Sequence, residues 1–266
     1  MSAGPAERVH EHLVETRGDG VAVLRVDRED ALGALSRGMV EALGRYLARL
    51  RTDDDVRVLV LTGTGRGFVA GADIGEYNGV SRTAFDDYQR LSRGVFDQLA
   101  QLPQPTVAAV NGYALGGGFE LALCCDLVVA STGARFGLPE VSLGLLPGGG
   151  GTVRLARAIG ARTTKELVLT GRRMKPAEAR DLGLLTAVTE PDELMARAGE
   201  LAATIAAQAP LAVREGKRLV DDGLDTGLAT ALTREQQTLS WLYGTADAQE
   251  GVAAFLEKRP AVFRGR

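Results

Sequence analysis

The sequence predicts a layered α/β core followed by a helical C-terminal part. Three observations carry this reading. Segments of strand character alternate with helical segments over roughly the first two thirds of the chain. From Pro191 onward only helical segments remain, with breaks near Pro210, Gly223 and Gly244. Glycine clusters stand within residues 63–75, at 116–118 and at 148–151, where strands give way to helices. The pattern does not by itself select among α/β folds. At 266 residues and 45% hydrophobic composition, the chain can form one large domain, or one domain with a helical appendix.

Residues 9–16 and 21–27 predict two strands joined by a turn at Gly18-Asp19-Gly20. Ser36 is placed as an N-cap, and Met39, Val40, Leu43, Tyr46, Leu47 and Leu50 then recur at helical spacing. Asp53-Asp54-Asp55 breaks that helix, and 56–61 is a short apolar strand leading into a glycine-rich loop over 63–75. A helix over 83–102 is stopped by Pro103 and Pro105. A strand at 106–110, a short helix opened by Gly116-Gly117-Gly118, a strand at 126–130 and a helix at 152–158 complete the core.

The formal net charge of −3 gives no basic footprint for nucleic acid. No apolar run approaches the length of a membrane span, and residues 1–15 lack a signal-peptide pattern, so a cytoplasmic location is expected. The adjacent Cys124 and Cys125 lie too close along the chain for an unstrained disulfide and read as small buried hydrophobes. His10 and His12 fall on one face of the expected first strand, without further ligands for a metal.

Gly63-Thr64-Gly65-Arg66-Gly67 follows a strand but is no dinucleotide fingerprint: Phe68 stands where the third glycine belongs, and no helix opens there. No glycine cluster ends in the Gly-Lys-Ser/Thr of a phosphate loop. Ala70-Gly71-Ala72-Asp73 and Leu115-Gly116-Gly117-Gly118 instead read as turns into helices, where unpaired N–H groups could hold an oxyanion or simply end a turn. Asp73 and Glu76 have capping-box spacing. Glu120 and Glu140 are single carboxylates in apolar settings, either capping and surface groups or an acid–base pair. Asp126, at a strand entrance, reads as a structural acid.

Four motifs occur in order: Phe68-Val-Ala-Gly-Ala-Asp-Ile74, Asn111-Gly-Tyr-Ala-Leu-Gly-Gly-Gly-Phe-Glu-Leu121, Phe136-Gly-Leu-Pro-Glu140 and Gly144-Leu-Leu-Pro-Gly148. Together they resemble the enoyl-CoA hydratase/isomerase (crotonase) family. The likeness reaches Glu250-Gly-Val-Ala-Ala-Phe-Leu-Glu-Lys-Arg259 near the end of the chain. It implies an α/β spiral of ββα units over residues 1–190 and a helical trimerisation region over 191–266, with trimers often paired into hexamers. It further implies that Ala72 and Gly117 offer backbone N–H groups to a thioester oxygen, that Glu120 and Glu140 are catalytic, and that Gly148 positions the water. Arg28, Ala31, Ala70, Asp73, Ile74, Phe255 and Lys258 match positions that approach CoA, the last two in some members from the neighbouring subunit. No metal or redox cofactor is implied, since CoA is part of the substrate.

On this reading Glu120 is ionised, favoured by a helix N-terminus, and activates water, while Glu140 protonates the α-carbon. Retention of both carboxylates favours hydration over isomerisation, decarboxylation or hydrolysis, and argues against a non-catalytic acyl-CoA-binding protein. An RNA-binding role is disfavoured by the acidic balance and scarce lysine. The chain departs from the family pattern at Glu29, Asp30 and Gly33, where Pro, Lys and Asn are usual, and at Val153, where Gln is frequent. Acids at 29 and 30 would weaken CoA binding.

Overall fold

The computed structural model describes residues 4–266. The chain opens with an antiparallel meander of β1 (Glu7–His10), β2 (Leu13–Gly18) and β3 (Val21–Val26), followed by α1 (Arg37–Leu50). A repeat then runs three times. Its first turn is β4 (Val58–Gly63), β5 (Gly67–Val69) and α2 (Arg82–Ala100). The second is β6 (Thr106–Val110), β7 (Tyr113–Leu115) and α3 (Gly117–Leu123). The third is β8 (Leu127–Ser131), β9 (Arg135–Gly137) and a 3-10 turn at Pro139–Leu143. Helices α4 (Gly151–Ile159), α5 (Ala161–Thr170) and α6 (Pro176–Asp181) lead to β10 (Ala187–Thr189). The chain ends in α7 (Leu194–Ala206), α8 (Pro210–Leu224), α9 (Leu228–Tyr243) and α10 (Ala246–Glu257).

The first strand of each repeat joins a seven-stranded sheet in the order β1-β2-β3-β4-β6-β8-β10, parallel from β3 onward. The second joins a three-stranded parallel sheet, β5-β7-β9. Successive repeats therefore advance both sheets by one strand, which is the expected spiral. Side-chain parity separates two cores. Leu24, Leu59, Leu61, Ala108 and Ala130 face the small sheet and the α1, α2 and α3 helices. Val58, Val60, Val107, Ala109 and Val129 face outward and are covered by Leu194, Ala198 and Ala202 of α7. Thus α7, although past residue 190, packs on the large sheet.

The six apolar positions expected on α1 are all buried, and the Ser36 hydroxyl accepts from Met39 N–H as its N-cap. Three expectations are corrected. The strand expected over 9–16 is two strands, because Glu11 and His12 form a tight turn; His12 therefore leaves the strand, and its N–H donates to His10 Nδ1 at 3.1 Å. Residues 67–69, expected as loop, are β5. The capping box does not close: Asp73 accepts from Gly75 N–H, but Glu76 Oε2 accepts from Arg37 N–H across the loop, at 2.7 Å.

Asp126 is the structural acid expected of it. Its carboxylate accepts from the Thr106 N–H and hydroxyl and pairs with Lys217 at 2.8 Å, tying α8 to the sheet. Both cysteines are free, and burial pushes the Cys124 thiol up to about 12, so it stays protonated. Among the described residues no helix is long and apolar enough to cross a membrane.

Candidate active site

The C-terminal ends of the small sheet's three strands assemble the site. β5 runs into 70–73, β7 into Gly116 and α3, and β9 through Leu138 into the turn that carries Glu140. Because Val69 pairs with Ala114, and Leu115 with Gly137, these three exits lie side by side. The register alone brings Ala72, Gly117 and Glu140 together.

Ala72 sits in a short parallel bridge with Leu35, in which Gly71 C=O accepts from Leu35 N–H and Asp73 N–H donates to Leu35 C=O. In an extended segment the intervening residue directs its N–H the other way. Gly117 is the first residue of α3, where N–H groups have no partner within the helix. A Cβ placed on Gly117 would lie 3.8 Å from the Ala72 nitrogen, so the two N–H groups share one locus. Among the described residues neither donates to a protein acceptor. Gly116 makes the reversal possible with φ at +51°, a conformation that costs little only for glycine.

Glu120 is 3% exposed. Its Oε1 accepts from Gly149 N–H at 2.8 Å and Gly151 N–H at 2.7 Å. Burial raises its pKa; the N–H groups of Gly151 and Gly149 and the charge of Arg93 pull it back. The helix terminus that favours its ionised form is thus that of α4, not of α3 to which it belongs. The N-cap of α4 is Gly150, which has no side chain to cap with, and Glu120 supplies the acceptor instead.

Glu140 is treated oppositely. Its Oε1 faces Gly116, 3.0 Å from where a Cβ would sit, and its buried Oε2 has no hydrogen-bond partner. Burial, with a further push from the charge of Glu120, raises its carboxyl to about 7. Glu120 accepts from two backbone N–H groups of another loop, whereas Glu140 has only the N–H of its own backbone and leaves Oε2 without a partner. Two carboxylates in such unequal settings can serve as a base and an acid.

The other expected positions separate into two groups. Arg28 and Asp73 pair with each other at 2.8 Å, Ala70 N–H donates to Leu32 C=O, and Ala31 and the exposed Ile74 flank them. These five share one rim beside Ala72. Phe255, on α10, and Lys258, the residue that ends it, lie elsewhere, and α10 packs on α9. The tail after α10 is held by Arg57, which stands just before β4, at the end of that strand remote from the Ala72 and Gly117 loops, and donates to Phe263 C=O. Gly148 adjoins Gly149 in the loop that holds Glu120.

The sequence reading missed Gly149 and Gly151 as the donors to Glu120. The signal was there: an α-helix opening on glycines without a capping side chain needs an outside acceptor, and an isolated Glu in an apolar helix needs donors.

Comparison with known proteins agrees with this geometry. The family model described as enoyl-CoA hydratase/isomerase matches residues 16–266. The short-chain-enoyl-CoA hydratase of Clostridium acetobutylicum is 40% identical over 248 residues, covering 93% of this chain and 95% of that protein. The crotonyl-CoA hydratase of Syntrophomonas wolfei is 37% identical over 255 residues, covering 96% and 98%. The crystal structure of an enoyl-CoA hydratase from Bacillus anthracis superposes with a TM-score of 0.91 at 36% identity, covering 100% of both chains. A match of this extent, on a spiral whose strand ends converge on two glutamates, means that the chain belongs to the enoyl-CoA hydratase/isomerase family.

Proposed function

We propose that the protein is an enoyl-CoA hydratase, adding water reversibly and in the syn sense to a trans-2-enoyl-CoA to give a 3-hydroxyacyl-CoA. One observation carries this reading: a buried glutamate held by two backbone N–H groups and a half-buried one with an unpartnered oxygen flank a pair of free backbone N–H groups. The N–H groups of Ala72 and Gly117 hold the thioester oxygen and stabilise the enolate that develops as water attacks. Ionised Glu120 takes a proton from the water, which Gly148 helps to position, and the oxygen bonds to the β-carbon. Neutral Glu140 delivers its proton to the α-carbon. The proton gained by Glu120 balances the one lost by Glu140, and the reverse reaction exchanges their roles. No step calls for a metal or a redox group. An isomerase reading needs the same oxyanion hole and one proton shuttle, and leaves the second polarised carboxylate without a task.

The test is loss of the conjugated enoyl-thioester absorbance of crotonyl-CoA; a folded protein that binds CoA thioesters and does not hydrate this substrate removes the reading. The pH dependence is a sharper check. Hydration needs Glu140 protonated, so its kcat/KM should fall as pH rises through about 7, the value to which burial lifts that carboxyl. A profile flat from about pH 6 to 9 excludes Glu140 as the acid.

Homotrimers, singly or paired, belong to the same reading. Helices α8 and α9 bury no residue fully, and Leu228, Leu239, Trp241, Phe255 and Leu256 are all exposed. Such a surface is expected to be covered by other subunits, and a trimer would bring Phe255 and Lys258 to a neighbour's CoA. Sedimentation equilibrium at the trimer or hexamer mass is expected; a monomer mass removes this assignment. A cytoplasmic location fits the two free thiols.

A further inference from the structure

The far end of the acyl site is built by one face of α2. Gln89 and Phe96 stand seven residues apart, on the same side of the helix. Phe96 backs the reacting atoms: its Cζ lies 3.9 Å from a Cβ placed on Gly117, and its Cδ2 lies 2.5 Å from one placed on Gly149. Two turns earlier Gln89 covers the next residue of the loop, its Oε1 lying 2.3 Å from a Cβ placed on Gly148. Gln89 Nε2 donates to the Tyr77 hydroxyl at 3.3 Å. The Tyr77 ring is held edge-on between Phe85 and Tyr88, with centroids 5.2 and 5.5 Å away. Burial raises the pKa of the Tyr77 phenol, and the charges of Glu120 and Glu76 add to the shift, so the ring is within electrostatic reach of the base. Beyond it opens a surface cavity of about 210 Å³ whose lining includes the exposed Arg37 and Glu76 as well as Tyr77, Val80, Phe85 and Tyr88, but neither Gln89 nor Gly148.

With the thioester oxygen at Ala72 and Gly117, and the α- and β-carbons between the two glutamates, the acyl chain next meets Gly148 and Gln89. We infer that the hydrogen-bonded pair Gln89–Tyr77 is the end wall of the acyl subsite, that it restricts the enzyme to short-chain acyl thioesters, and that it separates this subsite from the cavity behind Tyr77. The inference rests on the hydratase reading for the direction in which the acyl chain runs. Gln89 Oε1 stands so close to Gly148 that no carbon passes between them, so a four-carbon acyl group ends before this contact. A longer apolar tail has to part the amide from the hydroxyl, leaving the Gln89 amide facing hydrocarbon and the Tyr77 hydroxyl with only its bond to Tyr88, which is unfavourable. Shortening either side chain joins the subsite to the cavity.

The experiment titrates butyryl-CoA and decanoyl-CoA calorimetrically into wild type, Gln89→Ala and Tyr77→Ala, and assays crotonyl-CoA hydration on the same preparations. Wild type is expected to bind butyryl-CoA roughly tenfold more tightly than decanoyl-CoA, and each variant to shift that ratio roughly tenfold toward decanoyl-CoA. The variants open the wall from opposite sides, so either suffices if the other does not fold. Equal affinity of wild type for the two thioesters, or a ratio unmoved by substitution, overturns the inference. Hydration of crotonyl-CoA without length discrimination removes the wall and keeps the reaction. Length discrimination without hydration removes the reaction and keeps the wall.

Discussion

Glu120→Gln and Glu140→Gln are each expected to slow crotonyl-CoA hydration by about 10²–10⁴-fold, the range for loss of one positioned acid or base. The two losses should come with opposite effects on stability. Glu120 accepts two backbone N–H bonds, and an amide in its place gives up the charge that strengthens them. Glu140 has an oxygen with no partner, and its folded-state pKa is raised from 4.5 to about 7. A carboxyl raised in the folded state contributes stability that is present in full below its ordinary value and is lost as pH rises through the folded value. At pH 8, Glu140→Gln should therefore melt above wild type by about 2–4 °C, the shift per kcal/mol for a chain of this size, with the gap closing toward pH 5. Turnover within a few fold of wild type in either variant contradicts the assigned roles, and a lower melting temperature for Glu140→Gln at pH 8 contradicts the unpaired oxygen.

Gly149→Ala should damage catalysis although both carboxylates are retained. The new methyl would lie 2.5 and 2.6 Å from two atoms of the Phe96 ring and 2.9 Å from Glu120 Oε2. Phe96 is 1% exposed and fixed within α2, so the loop is the part that withdraws, and the donors to Glu120 withdraw with it. A displacement of the base by about 1 Å corresponds to a loss of roughly 100-fold. Gly94→Ala is the control: it is on α2, has nothing within 4 Å of an added methyl, and should keep full turnover with slightly higher stability from better helix propensity. Gly149→Ala with more than about half the wild-type rate would mean that the loop has slack the packing denies.

Elements with a strong local period were legible in the sequence. The apolar stripe of α1 follows its 3.6-residue repeat, Ser36 caps it, and strand β6 falls at the expected 106–110. The small sheet was not legible, although it positions the site. Strands β5, β7 and β9 have three residues each, too few to show an alternation, and their pairing is set by the advance of the spiral. For the same reason the motifs named Ala72, Gly117, Glu120 and Glu140, while nothing local marked the polar pair of Gln89 and Tyr77 or the reach of Glu120 to α4. Those contacts join residues 12 and about 30 positions apart and exist only once the loops are stacked.

The way Glu120 closes the start of α4 has a consequence for how this scaffold diversifies. A chain that loses Glu120 loses the proposed base and uncaps a helix in the same step. Position 140 carries no such burden, because its side chain caps no helix and one of its oxygens has no partner. Replacing residue 120 is therefore expected to cost this fold the start of a helix as well as a carboxylate, whereas replacing residue 140 leaves every helix end as it was.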